Sequence, residues 1–86
     1  MTIKLAALLV EIRRRARVRP PPDVDPLKEI MRRIGRSPRT PENRMLLKIA
    51  AAAVSRREEY FSENEIWSLS QETLGLINAL IERTNR

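Results

Sequence analysis

Apolar residues return at helical spacing in four stretches of the chain, separated by proline, glycine and small polar residues. Leu5, Leu8, Leu9, Ile12 and Ala16 fall at i, i+3, i+4, i+7 and i+11, one stripe of a helix over about residues 3–18. Arg13, Arg14 and Arg17 fall on its opposite face. "RPPPDVDP" ends this helix, because proline lacks an amide hydrogen and restricts the residue before it. Three consecutive prolines make the connector at about 19–26 stiff and extended.

A short second helix, about 26–34, is predicted from Asp25 as N-cap, Pro26 at the first helical position and the stripe Leu27, Ile30, Met31 and Ile34, with Gly35 as its stop. Thr40, Pro41 and Glu42 repeat the cap, proline, acid order and open a third helix over about 41–59. Its apolar positions, from Met45 to Val54, cover most of the circumference, which predicts that this helix is the central one. A fourth helix is predicted over about 63–84. Ser62 and Glu65 have capping-box spacing, and Phe61 and Ile66 have the spacing of a hydrophobic staple. Its stripe keeps phase through Ser70, so one continuous helix is expected, with a kink near Ser70 as the alternative. Gly75 projects to the polar side of that helix. The expected fold is all-α: a single-domain bundle of about four helices over residues 1–86, with no strand.

Composition narrows the chemistry. The chain has neither Cys nor His. Disulfides, thiol nucleophiles, the usual zinc ligands and the commonest general base are therefore absent. The acids Glu58, Glu59, Glu63 and Glu65 have no accompanying His or Asp to complete a metal site. No phosphate-cradling glycine loop or nucleophile elbow is present. An enzyme is not expected, nor a cofactor or a metal. "LAALLV", the longest apolar run, is far too short for a membrane span. The apolar region is too short for a signal peptide and no small-residue cleavage site follows it, so none is expected and a cytoplasmic protein is.

What remains is surface. The net charge is +6, and residues 1–40 hold 11 Lys and Arg against four acids. Arg13, Arg14, Arg15, Arg17, Arg32, Arg33 and Arg36 form the candidate basic patch, suited to an acidic partner. The bland alternative is a solvated basic face. Nucleic acid is a second candidate partner, since clustered Arg neutralises phosphate. However, the tight turn at 60–62 makes the fourth helix the candidate DNA reader, and Glu72 and Glu82 on its outer face would meet phosphate.

The apolar arc of the fourth helix is wider than one neighbour covers. It predicts a partner groove lined by Trp67, Leu74 and Ile81, with Tyr60 and Ser70 beside it. A protein partner or a second copy of the chain would fill it. Otherwise Trp67 caps the core with its indole nitrogen in water.

"LAALLVEIRRRARVRPPP" followed by "TPENRMLLKIAAAAV" resembles the small helical antiactivators of proteobacteria, the QseM type, over about half the chain. That resemblance implies a non-enzymatic protein, in a bacterial cytoplasm, that binds a transcriptional activator and silences it, as in quorum-sensing control of conjugative transfer. It carries no family binding residue onto a position here. The expected function is an antiactivator acting through the groove; the alternative is a small basic DNA- or RNA-binding regulator.

Overall fold

The helix around which the chain packs is the last one. The computed structural model describes residues 1–84 and runs β1 (Thr2–Lys4), α1 (Leu5–Arg15), α2 (Pro26–Arg36), α3 (Pro41–Ser55), β2 (Tyr60–Ser62), α4 (Glu63–Trp67) and α5 (Gln71–Thr84). α1, α2 and α3 all pack on α5, and α2 also packs on α3. Leu74, Leu76, Ile77, Leu80 and Ile81 of α5 are all buried, joined in the core by Leu8, Ile12, Ile30, Leu46 and Ile49. Each such side chain contributes about 1.5–3 kcal/mol by leaving water. The prediction that the third helix is central is corrected: Leu47 and Val54 of α3 are exposed. Its alanine run let both sides look apolar, but only one faces the core.

α5 can be central because its glycine admits a crossing chain. α1 ends at Arg15, earlier than its stripe predicts, and Ala16 already has extended φ and ψ. The chain then passes over Gly75 so closely that a Cβ there would lie 2.1 Å from the Val18 carbonyl oxygen. Four residues earlier, one turn along α5, the Gln71 side chain holds the same segment from both sides. Its Oε1 accepts from the Arg17 amide at 2.9 Å, and its Nε2 donates to the Arg15 carbonyl at 3.4 Å. Gly75 is therefore buried beneath the connector, where the helical projection placed it on a polar face.

The continuous fourth helix is also corrected. Ser68 to Ser70 separate α4 from α5. Ser70 caps α5 by accepting the Thr73 amide at its Oγ, 3.2 Å away. The Ser70 amide is in turn held by the Glu42 carboxylate of α3 at 2.8 Å. These are the two bonds of a capping box, with the acid supplied by another helix. Partial burial opposes the Glu42 charge. The Ser70 amide, the neighbouring Thr73 and Ser70 hydroxyls and the charge on Arg33 outweigh that burial and hold the carboxyl below its ordinary 4.5.

Other ends follow the sequence more closely. Asp25 Oδ1 accepts the Leu27 amide and Thr40 Oγ1 accepts the Asn43 amide, each followed by proline at the first helical position. α2 runs through Gly35 to Arg36, and no glycine has positive φ. The α2 end is closed instead by the buried Asn43, whose Nδ2 donates to the Ser37 and Arg33 carbonyls at 2.8 and 3.3 Å. α3 stops at Ser55 because Arg56 adopts the left-handed conformation, φ 55°. The Arg56 amide then bonds Ala53 and the Arg57 amide bonds Ala52, a Schellman close with Arg where glycine is usual.

The fold is mostly helical rather than all-α. β1 and β2 form a two-stranded antiparallel ribbon pairing Ile3 with Phe61. This ribbon takes over the expected role of the Ser62–Glu65 capping box, for Ser62 makes no side-chain cap. The Glu63 amide bonds the Met1 carbonyl, and the Leu5 amide bonds the Glu59 carbonyl. The residue just before each strand thus supplies an acceptor to the helix that follows the other strand. Phe61 and Ile66, the proposed staple, both enter the core. Among the described residues, no helix is long and apolar enough to cross a membrane.

Gly75→Ala should destabilise the fold by roughly 1–3 kcal/mol, because overpacking against backbone exceeds the gain in helix propensity. Urea denaturation checks this: a variant as stable as the parent would mean that the connector does not need its close approach. Glu42→Gln should cost about 1 kcal/mol near neutral pH. The folded carboxyl titrates below its unfolded value, so its contribution is full above 4.5 and is lost as pH falls through the folded value. The stability gap between parent and variant should therefore close on acidification.

Candidate functional site

The five residues expected to line a partner groove are dispersed. Leu74 is 4% and Ile81 2% exposed, both in the core. The arc of α5 is wide because three helices pack on it, and they cover Leu74 and Ile81. Ser70 is exposed, but its amide and hydroxyl are committed to Glu42 and to capping α5. Trp67 is half-buried and packs against the core. The Arg15 guanidinium lies over its ring at 3.9 Å from the centroid, a cation–π contact that ties α1 to α4. Tyr60 is exposed on β2, beneath Lys4 at 5.9 Å. A hydrogen bond from Lys4 to Glu58, reinforced by their charges, raises the lysine above its ordinary value.

The basic patch divides in two. Arg13, Arg14, Arg15 and Arg17 are exposed on or just beyond α1, and Arg14 and Arg15 both reach Glu11 at 3.5 Å. Arg32, Arg33 and Arg36 lie elsewhere, on one wall of a cleft of about 650 Å³ between α2 and the proline connector. Arg19 joins them from the opposite wall, and Val18, Pro20, Pro21, Val24 and Leu76 supply an apolar lining. Glu29 and Glu72 are the acids of this cleft.

The charges there are unevenly matched. Glu29 accepts from Arg32 Nε at 3.0 Å and from its Nη2. That hydrogen bond and the charges of Arg32, Arg33 and Arg36 hold the Glu29 carboxyl below its ordinary value against a smaller opposing effect of burial. Arg19 reaches Glu82 at 3.5 Å. Arg33 and Arg36 form no ion pair among the described residues.

The connector wall is fixed at both ends. Gln71 holds it after α1, and Asp25, which caps α2, pairs with Arg83 of α5. A preformed wall lowers the ordering cost of binding. Arg19 and Gln71 were missed by sequence reasoning: the first was read only as part of the proline connector and the second as an exposed polar residue. The proline run beside Arg19 was the signal that its position would be fixed.

Among the described residues, no cluster of three Cys, His, Asp or Glu side chains could hold a metal. No protein-family model, curated protein or solved structure matches the chain.

Truncating Leu74 or Ile81 to Ala should cost about 2–5 kcal/mol each. Chemical denaturation of the single variants distinguishes core from groove: a groove residue would weaken partner binding while leaving the unfolding midpoint in place.

Proposed function

We propose that this chain is a non-enzymatic protein-binding module that engages and silences a transcriptional regulator in a bacterial cytoplasm. The role matches the antiactivators that its first and third helices resemble. One observation carries this reading: large apolar side chains stand exposed beside basic ones on the same helices. Val10 is 58% exposed on the helix that bears Arg13 and Arg14, and Met31 is 56% exposed beside Arg32. On α3, Leu47 is 45% exposed and adjoins Lys48.

Phosphate backbones reward the charge but give such apolar side chains nothing to bury against. Protein interfaces reward both, since arginine and methionine are enriched at their cores while lysine is depleted. The cleft fits the same description, with arginines around prolines and aliphatic side chains.

Binding to DNA or RNA is the second reading, supported by the net charge of +6 and its concentration in residues 1–40. The test is capture on the immobilised full chain from an extract of the source organism, with and without nuclease. A transcriptional regulator retained after nuclease treatment is expected. Adding the chain should also reduce transcription from that regulator's promoter in a purified system. Capture abolished by nuclease, together with salt-sensitive binding to short duplex DNA, would replace the antiactivator with a nucleic-acid-binding regulator.

A further inference from the structure

We propose that the cleft between the proline connector and α2 is a docking site for an acidic, aliphatic-bearing peptide segment of a partner protein, its carboxylates seated on Arg33 and Arg36. This rests on the reading of the chain as a protein-binding module and adds the site and the chemistry of its occupant.

Charge complementarity selects the occupant. Arg33 and Arg36 are one helical turn apart on α2 and line the same space, so two carboxylates spaced along a peptide can engage both. Arg32 is neutralised by Glu29, and Arg19 is shared with Glu82. Arg33 and Arg36 favour the Glu29 charge, and Arg33 that of Glu42, only from a distance; neither forms an ion pair among the described residues, so both keep a guanidinium open to an incoming carboxylate. Between the arginine walls, Val18 is 44% exposed and Pro20 is half-buried. These provide a dry contact for an aliphatic side chain placed between the acids.

The two resident acids argue against a nucleic-acid strand. A phosphate backbone bears charge at every nucleotide and would be carried past Glu29 and Glu72. A peptide can place carboxylates only where the arginines are.

The shape of the cleft is set before binding. Its connector wall has a proline-restricted backbone, cannot approach α5 more closely at Gly75, and is tied by Gln71. Little conformational freedom is lost when a segment enters, which favours a modest but specific contact.

The test uses the full chain and a short fluorescein-labelled peptide of Glu and Leu, with short duplex DNA as the competing probe. Amide spectra of the isotope-labelled protein should shift on peptide addition at Val18, Arg19, Arg33, Arg36 and Leu76. Arg33→Glu with Arg36→Glu should weaken binding roughly 10-fold. Arg56→Glu with Arg57→Glu, the same change of charge outside the cleft, should weaken it less than about 2-fold. Glu72→Lys should tighten binding by about 2- to 5-fold. Because Arg33 is half-buried, circular dichroism accompanies the double variant; if that variant unfolds, the exposed Arg36→Glu alone should weaken binding about 3-fold.

Equal losses from both charge reversals would reduce the effect to overall charge and overturn the site. Tighter binding of the duplex, abolished by the cleft reversal, would assign the arginines to phosphate. A nuclease-resistant regulator captured equally by parent and cleft variant would remove the cleft and leave the protein-binding module standing. Nuclease-sensitive capture by the parent would remove the module itself.

Discussion

The passage of the residue 16–19 backbone across Gly75 fixes more of this structure than any single side-chain contact. A chain crossing a helix at that distance leaves no room for a Cβ, so the crossing can occur only at a glycine. Several features follow from the crossing. α1 must stop before its apolar stripe runs out, since a further turn would carry Val18 away from α5. The Arg17 amide, freed from helical pairing, needs an acceptor and finds Gln71. The prolines then carry the chain onward without needing amide donors at those positions. With α1 ahead of the crossing and α2 beyond it, both flank α5, and α5 becomes the buried centre.

The helix ends show a related economy. Asp25, Thr40 and Ser70 cap helix starts through their own side chains, and the Ser68 hydroxyl donates to the Glu65 carbonyl at the end of α4. Elsewhere the unpaired groups are met by residues distant in sequence: Met1 and Glu59 serve the starts of α4 and α1, Asn43 serves the end of α2, and Gln71 that of α1. In an 86-residue domain with a thin core, such bonds couple each helix end to the packing of another element. Losing one element would leave polar groups of another unsatisfied, which favours cooperative unfolding.

That coupling decides how much was legible in the sequence. Local signals held wherever cap and helix are contiguous: Asp25–Pro26 and Thr40–Pro41 place two helix starts correctly. They failed where the cap comes from elsewhere. Ser62 and Glu65 have the right spacing for a box, but Ser62 makes no side-chain cap and the Met1 carbonyl accepts the Glu63 amide instead. Ser70 had the composition of a cap, yet a stripe in phase from Ile66 to Leu80 masked the break, because the short bend at 68–70 returns the chain with its apolar side still facing inward. Gly75 was legible as a glycine and illegible as a crossing point, since nothing in its neighbours announces a segment from residue 18.

For the candidate site the same division applies. Arg32, Arg33 and Arg36 were legible as charge, but Arg19 and the opposing proline wall became part of the cleft only through the crossing. Leu74 and Ile81 looked like a groove because periodicity measures how much of a helix is apolar, without saying how many neighbours cover it.

The separation between core and charge has a further consequence. The residues that hold the bundle together are aliphatic side chains, Phe61 and small polar groups, whereas Arg13, Arg17 and Arg36 are exposed and unpaired among the described residues. Exposed charges contribute little to folding, so their identity can change with small effect on a marginal stability. Like charges on one surface repel, and that cost persists unless something negative approaches. A partner bearing carboxylates would relieve that repulsion, gain electrostatic steering during its approach, and meet a cleft whose wall is already fixed by the packing of α5. The proposed binding and the observed folding therefore share the connector but draw on different atoms of it: Val18's carbonyl and Arg17's amide hold the wall, while the Val18 side chain, Arg19 and the prolines face the space where the partner would lie.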